Sequence, residues 1–345
     1  MRILIVKLSS LGDVVHSMPA VQDMRAALPH AQIDWVVERA FAPLVVRCNG
    51  VGRVIPCEIR RWSKSPFSAS TREQWAGFRA DLDLQAYEAV IDLQGLTKSA
   101  LIARLARVAP GVGDGKRYAL ANRTKGSGYE APTRWVADVA VRVARHIHAV
   151  DRSRVLCAKA LGYELPEAMS FGLKADRAEL QPGPPRVAFV HGTSRADKEW
   201  PIDRWIALGK ELNRAGFRIA LPHGNAAEQA RCGQIAAGVA DAEVWPRMTL
   251  DALTDSLAAC FGVIGVDSGL SHIAVALDLP HVQIYNFDTA WRTGPPPSSR
   301  QKAVFARPTP SLDQVWSAWL SVAADTRVAA GTSADAAAAS AAPGQ

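Results

Sequence analysis

Short, uninterrupted apolar runs alternate with longer segments of helical periodicity along most of the chain. The first run, Ile3-Leu4-Ile5-Val6, is largely β-branched and reads as a parallel strand buried on both faces. Val14, Val15, Met18, Val21, Met24 and Leu28 then recur at helical spacing. Further strands are predicted at Gln32–Val37, Arg53–Pro56 and Ala89–Leu93, and helices at Thr97–Leu105 and Trp135–Ala149. Between those two helices, Asp114–Tyr129 is rich in Gly, Lys, Arg and Asn and reads as a long loop. The run Gln181-Pro182-Gly183-Pro184-Pro185 is the best linker signal in the chain. After it the alternation restarts, with strands at Val187–Val190, Arg218–Pro222, Phe261–Val266 and Pro280–Tyr285, and a helix at Leu250–Cys260 capped by Thr249. An amphipathic helix over Ser311–Ala323 closes the pattern, and the Ala/Ser/Gly-rich residues 324–345 lack the large apolar groups a core needs, which predicts disorder.

Alternation of this kind predicts two α/β domains, each a doubly wound parallel sheet, over 1–175 and 186–310, joined by a linker at 176–185. The composition fits that reading. The chain has 345 residues, of which 48% are hydrophobic, enough for two cores, and Lys plus Arg exceed Asp plus Glu by 40 to 33. A net charge of +7 is modest, and suits either ordinary solubility or an anionic partner or membrane surface; no nucleic-acid partner is expected. Five dispersed cysteines without a C-x-x-C pair predict reduced thiols and a cytosolic setting. No secretory leader is read at Met1, and no apolar run is long enough to span a bilayer.

The candidate chemistry lies in the loops after strands, where open α/β sheets bind ligands. No G-x-G-x-x-G follows the first strand, which argues against a dinucleotide oxidoreductase. The loop after it, Lys7-Leu8-Ser9-Ser10-Leu11-Gly12-Asp13, places Asp13 at the mouth of a helix, as a cap or as a working carboxylate. Ile59–Phe67 interleaves Arg60, Arg61 and Lys64 with Trp62 and Phe67, a pattern suited to phosphate or carboxylate groups at a membrane interface, or to an ordinary solvated loop. Asp81-Leu82-Asp83 matches the D-x-D of metal-dependent transferases but falls at the end of a helical stretch, so no metal site is assigned. In the second half, Thr193, Ser194 and Lys198 follow a strand and precede a helix, the makings of an anion site. Glu228 reads as a first-turn helix acid, and Met248 as a packing residue beside a cap. In Val266-Asp267-Ser268-Gly269-Leu270-Ser271-His272, the backbone amides of Ser268, Gly269 and Leu270 open a helix at the end of a strand and suit a diphosphate.

The opening Met1–Ala20, with its Lys-x-Ser-Ser-x-Gly-Asp run, and the D-[ST]-G-x-x-H pattern at Asp267–His272 resemble the lipopolysaccharide heptosyltransferase I family. The resemblance extends over about residues 1–325. It implies a GT-B fold, two Rossmann-like domains facing a central cleft, with the closing helix crossing back to the first domain. It also implies a metal-independent, inverting transfer of heptose from ADP-L-glycero-β-D-manno-heptose to Kdo2-lipid A. By the same resemblance Asp13 is the catalytic base and Lys198 a diphosphate contact. Thr193, Ser194, Glu228 (ribose), Met248 (adenine), Asp267, Ser268, Gly269, Leu270 and His272 hold the donor. The family carries a segment similar to Arg60-Arg61-Trp62 on the acceptor side, where Ser10, Gly12 and Lys64 are also expected, and Lys98, just after the strand Ala89–Leu93, is a further candidate for the same role. A monomer on the cytoplasmic face of the inner membrane is expected. Asn286–Pro295 departs from the family's usual turn, leaving Asp288 and Arg292 without an assigned role. Two alternatives stand beside this reading: a type II or later-core enzyme of the same family, and a non-catalytic protein that binds nucleotide sugar or lipopolysaccharide.

Overall fold

A computed structural model describes residues 1–110, 115–176 and 183–324. The chain divides into two compact units, Met1–Lys174 and Ala175–Gln345. The first is built on strands β1 (Arg2–Val6), β2 (Gln32–Glu38), β3 (Val51–Cys57), β4 (Ala89–Asp92), β5 (Lys116–Leu120) and β6 (Val139–Val141). They form one sheet in the order β3-β2-β1-β4-β5-β6, with every ladder parallel. The second unit holds β7 (Arg186–Val190), β8 (Arg218–Leu221), β9 (Ala242–Val244), β10 (Gly262–Val266), β11 (His281–Tyr285) and β12 (Gln301–Phe305). Its order, β12-β11-β10-β7-β8-β9, is the same topology traced from the other edge, again all parallel. Both units are therefore doubly wound sheets, as the alternation predicted, and the fold is of the GT-B class.

This topology decides where the chemistry gathers. The strand order reverses between β1 and β4 in one unit and between β7 and β10 in the other, so a crevice opens at the carboxyl ends of these pairs. The four strands are fully buried apart from Arg2 and Arg186 at their starts. Aliphatic side chains on both faces make them insoluble alone and well seated between helices. Gly265 shows how tightly the floor is packed: a Cβ there would lie 2.4 Å from Ser271 Oγ and 2.8 Å from Val190 Cβ.

Two expectations are corrected. Asp114–Tyr129 is not all loop, because β5 runs through it between β4 and β6. Trp135–Ala149 is not a helix: a short helix, Thr133–Val136, leads into β6, and His148 then caps the helix Ala149–Leu161 by accepting from Val150 N–H through Nδ1 at 3.3 Å. Val139 and Ala140 are exposed on an edge strand, so their apolar character never marked a helix face. The closing helix, residues 312–324, buries Val315, Trp319 and Val322 in its own unit's core with Phe217, Ile264 and Val282. Asp81 and Asp83 do lie on a helix, Ala69–Asp83, where Asp83 pairs with Arg79 at 2.8 Å. Most of the expected linker (177–182) and the tail expected to be disordered (325–345) lie outside the described residues.

Candidate active site

In the first unit the loop after β1 enters a five-residue helix, Leu11–Val15. Ser10, not Asp13, is its N-cap. Asp13 stands at the third helical position and reaches back, accepting from Ser10 N–H at 3.2 Å and Ser10 Oγ–H at 2.9 Å through Oδ2. Its Oδ1 faces two cations: Lys7 Nζ at 3.6 Å and Arg152 Nη2 at 3.7 Å. Burial opposes the charge, but Lys7, Arg152, His16 and the Ser10 hydrogen bond outweigh it and hold the Asp13 carboxyl well below the usual carboxylate range. Lys7 is almost completely buried and donates to Leu93 O at 3.3 Å. Burial pulls its ammonium down to about 8, against the upward pull of Asp13. Behind it Asp92, at the end of β4, accepts from Gln94 N–H, Gly95 N–H and Ser99 Oγ–H, which builds the neighbouring loop. Burial pushes Asp92 up to about 6 in spite of these donors. Gln94 Oε1 in turn accepts from the N–H groups of Leu8 and Ser9, so the β4 loop braces the β1 loop.

The cationic segment is a single helical turn, Ile59–Trp62, and not an open loop. Arg60 donates to Ser9 Oγ at 2.6 Å, which brings it to the Asp13 loop. Arg61 turns instead to Glu58 at 3.4 Å. Lys64 and Lys98 are exposed. Trp62 is buried against Trp75 and Phe78, with ring centroids 5.5 Å away in both cases, so it belongs to the core. Phe67, by contrast, is 88% exposed. A small apolar cavity of about 310 Å³, lined by Trp62, Pro66, Trp75 and Leu101 among others, lies next to these cations.

In the second unit the loops after β7, β10 and β11 converge on Asp267. Lys198 Nζ lies 2.7 Å from its Oδ2, His272 Nε2 3.5 Å from its Oδ1, and Thr293 Oγ1 also 3.5 Å from Oδ1. Burial again opposes ionisation, and His272 and Lys198 overcome it, keeping Asp267 well below the usual range. Thr193 Oγ–H donates to Asp267 O at 3.3 Å, while Ser194 is exposed. Ser268 stands at the N-cap position of the helix Gly269–Ala276, and its buried Oγ has no hydrogen-bond partner among the described residues. That helix starts two residues after Asp267, to which Lys198 and Thr193 are bonded, so its first amides, which have no partner within the helix, belong to the same cluster. Asn286 donates to Asp197 O and Glu199 O, tying the loop after β11 to the same place, and from that loop Thr293 reaches Asp267. Glu228 lies one loop away and accepts from Gly224 N–H at 2.7 Å, against Gly192. Beside it a cavity of about 740 Å³ is lined by His223, Asn225, Gln229, Trp245 and Arg247. Met248 is half-buried, in contact with Ser256 Oγ at 3.5 Å.

The folded chain thus gathers two groups of predicted residues, Ser10, Gly12, Asp13 and Arg60 in one unit, and Thr193, Lys198, Asp267, Ser268 and His272 in the other. It adds Lys7, Arg152, Gln94 and Thr293. Lys7 had a legible signal, a cation directly after a buried strand. Arg152 had none, because it lies in no motif and 139 positions from Asp13. Among the described residues no three His, Cys, Asp or Glu side chains gather as a metal ion would require.

Comparison with known proteins agrees with this layout. Residues 75–316 match the profile of glycosyltransferase family 9 (heptosyltransferase). Lipopolysaccharide heptosyltransferase 1 of Pseudomonas aeruginosa is 40% identical over 290 residues, covering 83% of this chain and 78% of that one. The Escherichia coli K12 protein of the same name is also 40% identical, with 83% and 88% covered. Lipopolysaccharide heptosyltransferase 2 of Salmonella typhimurium is 27% identical. Among solved structures, E. coli heptosyltransferase WaaC with ADP superposes with a TM-score of 0.80 at 35% identity, covering 91% of this chain and 96% of that one. The same enzyme with ADP-2-deoxy-2-fluoro heptose gives 0.76. The chain is an enzyme of glycosyltransferase family 9, the heptosyltransferases.

Proposed function

We propose that this protein transfers L-glycero-D-manno-heptose from ADP-heptose to a Kdo residue of Kdo2-lipid A, with inversion at the anomeric carbon. The observation that carries the reading is an ionised carboxylate at one switch point and a Lys198–Asp267 pair at a helix N-terminus at the other, in a chain 40% identical to type 1 heptosyltransferases. Type 2 relatives stand at 27% or less, which favours the type 1 acceptor. The acceptor hydroxyl attacks the anomeric carbon as the bond to the ADP oxygen breaks, and its proton passes to Asp13. Because Asp13 is held strongly acidic, the proton moves late, once the hydroxyl oxygen is largely bonded to carbon. ADP leaves with its new negative charge met by Lys198 and the amides of Ser268, Gly269 and Leu270, so no metal is needed. Glu228 and Met248 take the ribose and adenine beside the large cavity. Asp267 orients Lys198 and His272 as well as the turn.

Ser10, Gly12, Arg60, Arg61, Lys64 and Lys98 serve the acceptor, whose phosphates and carboxylates suit cations. No described helix is long and apolar enough to cross a membrane. The basic turn and Phe67 support peripheral contact of a monomer with the cytoplasmic face of the inner membrane. The test is ADP release from ADP-heptose with purified Kdo2-lipid A, wild type beside Asp13→Ala. Turnover lost in the variant with ADP binding kept is the expected result. Release only with an acceptor that already bears heptose would move the enzyme to a later step. Tight ADP binding with no release from either acceptor would leave a binding protein.

A further inference from the structure

Three consecutive residues of the helix Ala149–Leu161 grip the first helical segments after β1. Arg154 holds Asp23 through two bonds, Nε to Oδ2 at 2.7 Å and Nη2 to Oδ1 at 3.2 Å. Ser153 Oγ meets Ser17 Oγ at 3.2 Å. Arg152 Nη2 reaches Asp13 Oδ1 at 3.7 Å, and its Nη1 donates to Thr124 Oγ1 at 3.5 Å. All three are buried. The Asp13 carboxylate is therefore defined on both oxygens: Ser10 supplies two donors to Oδ2, and Lys7 and Arg152 supply two cations to Oδ1.

We propose that Arg152 is a positioning residue for the transfer reaction, fixing the orientation and the charge of Asp13 from a helix that carries no recognisable motif. The proposal rests on the reading of Asp13 as the base. The groups facing Asp13 are Lys7 from the loop just after β1, His16 from the end of the helix Leu11–Val15, and Arg152 from the helix Ala149–Leu161, with Asp92 of β4 behind Lys7 and His148 edge-on to His16 at 6.0 Å. Of the three cationic partners only the guanidinium keeps its charge at every working pH. Lys7 also divides its donors between Leu93 O and Asp13.

The test is kcat and donor KM for Arg152→Gln and Arg152→Lys in the full-length enzyme, with ADP-heptose and Kdo2-lipid A, and Asp13→Asn alongside. A carboxylate that loses one of its two cations is less firmly oriented, which slows the transfer without touching the donor site. Arg152→Gln is expected to lower kcat about tenfold and leave the donor KM within about twofold. Arg152→Lys is expected to restore kcat most of the way. An unchanged kcat in Arg152→Gln, a loss carried by the donor KM, or a kcat in Arg152→Lys as low as in Arg152→Gln overturns the proposal. Near-normal turnover of Asp13→Asn would overturn the reading of the base itself, whatever the Arg152 variants do.

Discussion

Arg60 and Arg61 are neighbours of the same type, yet the structure gives them different work. Both are exposed, but Arg60 is bonded to Ser9 beside the Asp13 loop, whereas Arg61 is turned to Glu58. An exposed ion pair contributes little, while an arginine fork at the acceptor's anionic groups makes charge-assisted bonds. Arg60→Ala is therefore expected to raise the acceptor KM about tenfold, with Arg61→Ala giving a smaller rise and neither changing the donor KM. A rise confined to the donor KM would remove this turn from the acceptor side. Trp62, adjacent to both, reads in sequence as part of the same patch. Its burial against Trp75 and Phe78 makes it the hydrophobic root that holds the turn in place.

Among elements, the helix Ala149–Leu161 bears most directly on the first site. Its Arg154–Asp23 pair is buried on both sides and is completed by Arg154 Nη2 donating to Pro166 O at 2.8 Å. Removing one partner strands the other charge in the interior, so Arg154→Ala is expected to destabilise by about 3–5 kcal/mol in denaturant unfolding. A cost below about 1 kcal/mol would show that Asp23 finds water or another partner. The strands that escaped sequence reading have a common physical character. β6, β9 and β12 are edge strands, and β5 lies beside one; each is short or half-exposed, without the continuous apolar run that announces β1, β7 or β10. Hydrophobic pattern reports burial on two faces, and an edge strand has less of it.

At the scale of the molecule, acid should act on the second unit through two histidines. His191 and His281 are completely buried, and burial draws both imidazoles down to about 4. Above pH 6.5 each is neutral whether folded or not. Below that, the unfolded chain takes up a proton that the fold refuses until about pH 4, so the stability present above 6.5 is lost across this window. Each histidine accounts for roughly 2 kcal/mol by pH 5, and His281→Gln is expected to flatten the fall between pH 7 and 5 in denaturant melts. An unchanged slope would show that His281 is not responsible. The catalytic proposal carries its own test at this scale: turnover in excess EDTA is expected to equal that without it, and a loss restored by Mg²⁺ or Mn²⁺ would require a metal in the diphosphate site.

The sequence by itself determined the two sheets, the loops that follow their central strands and the residue types at both switch points, because these features are local. A buried strand must be apolar along its length, a tight turn needs its glycine, and a helix start exposes its own amides. Asp13, Lys198 and Asp267–His272 were legible for that reason. Tertiary structure alone decided the rest. It made Ser10 the cap and Asp13 the group held by it, carried Arg152 and Thr293 to carboxylates far away in sequence, and separated Arg60 from Arg61. It also buried the closing helix in the second unit's core. Contacts between distant segments depend on how whole elements pack, and no periodicity within one segment records which partner another will present.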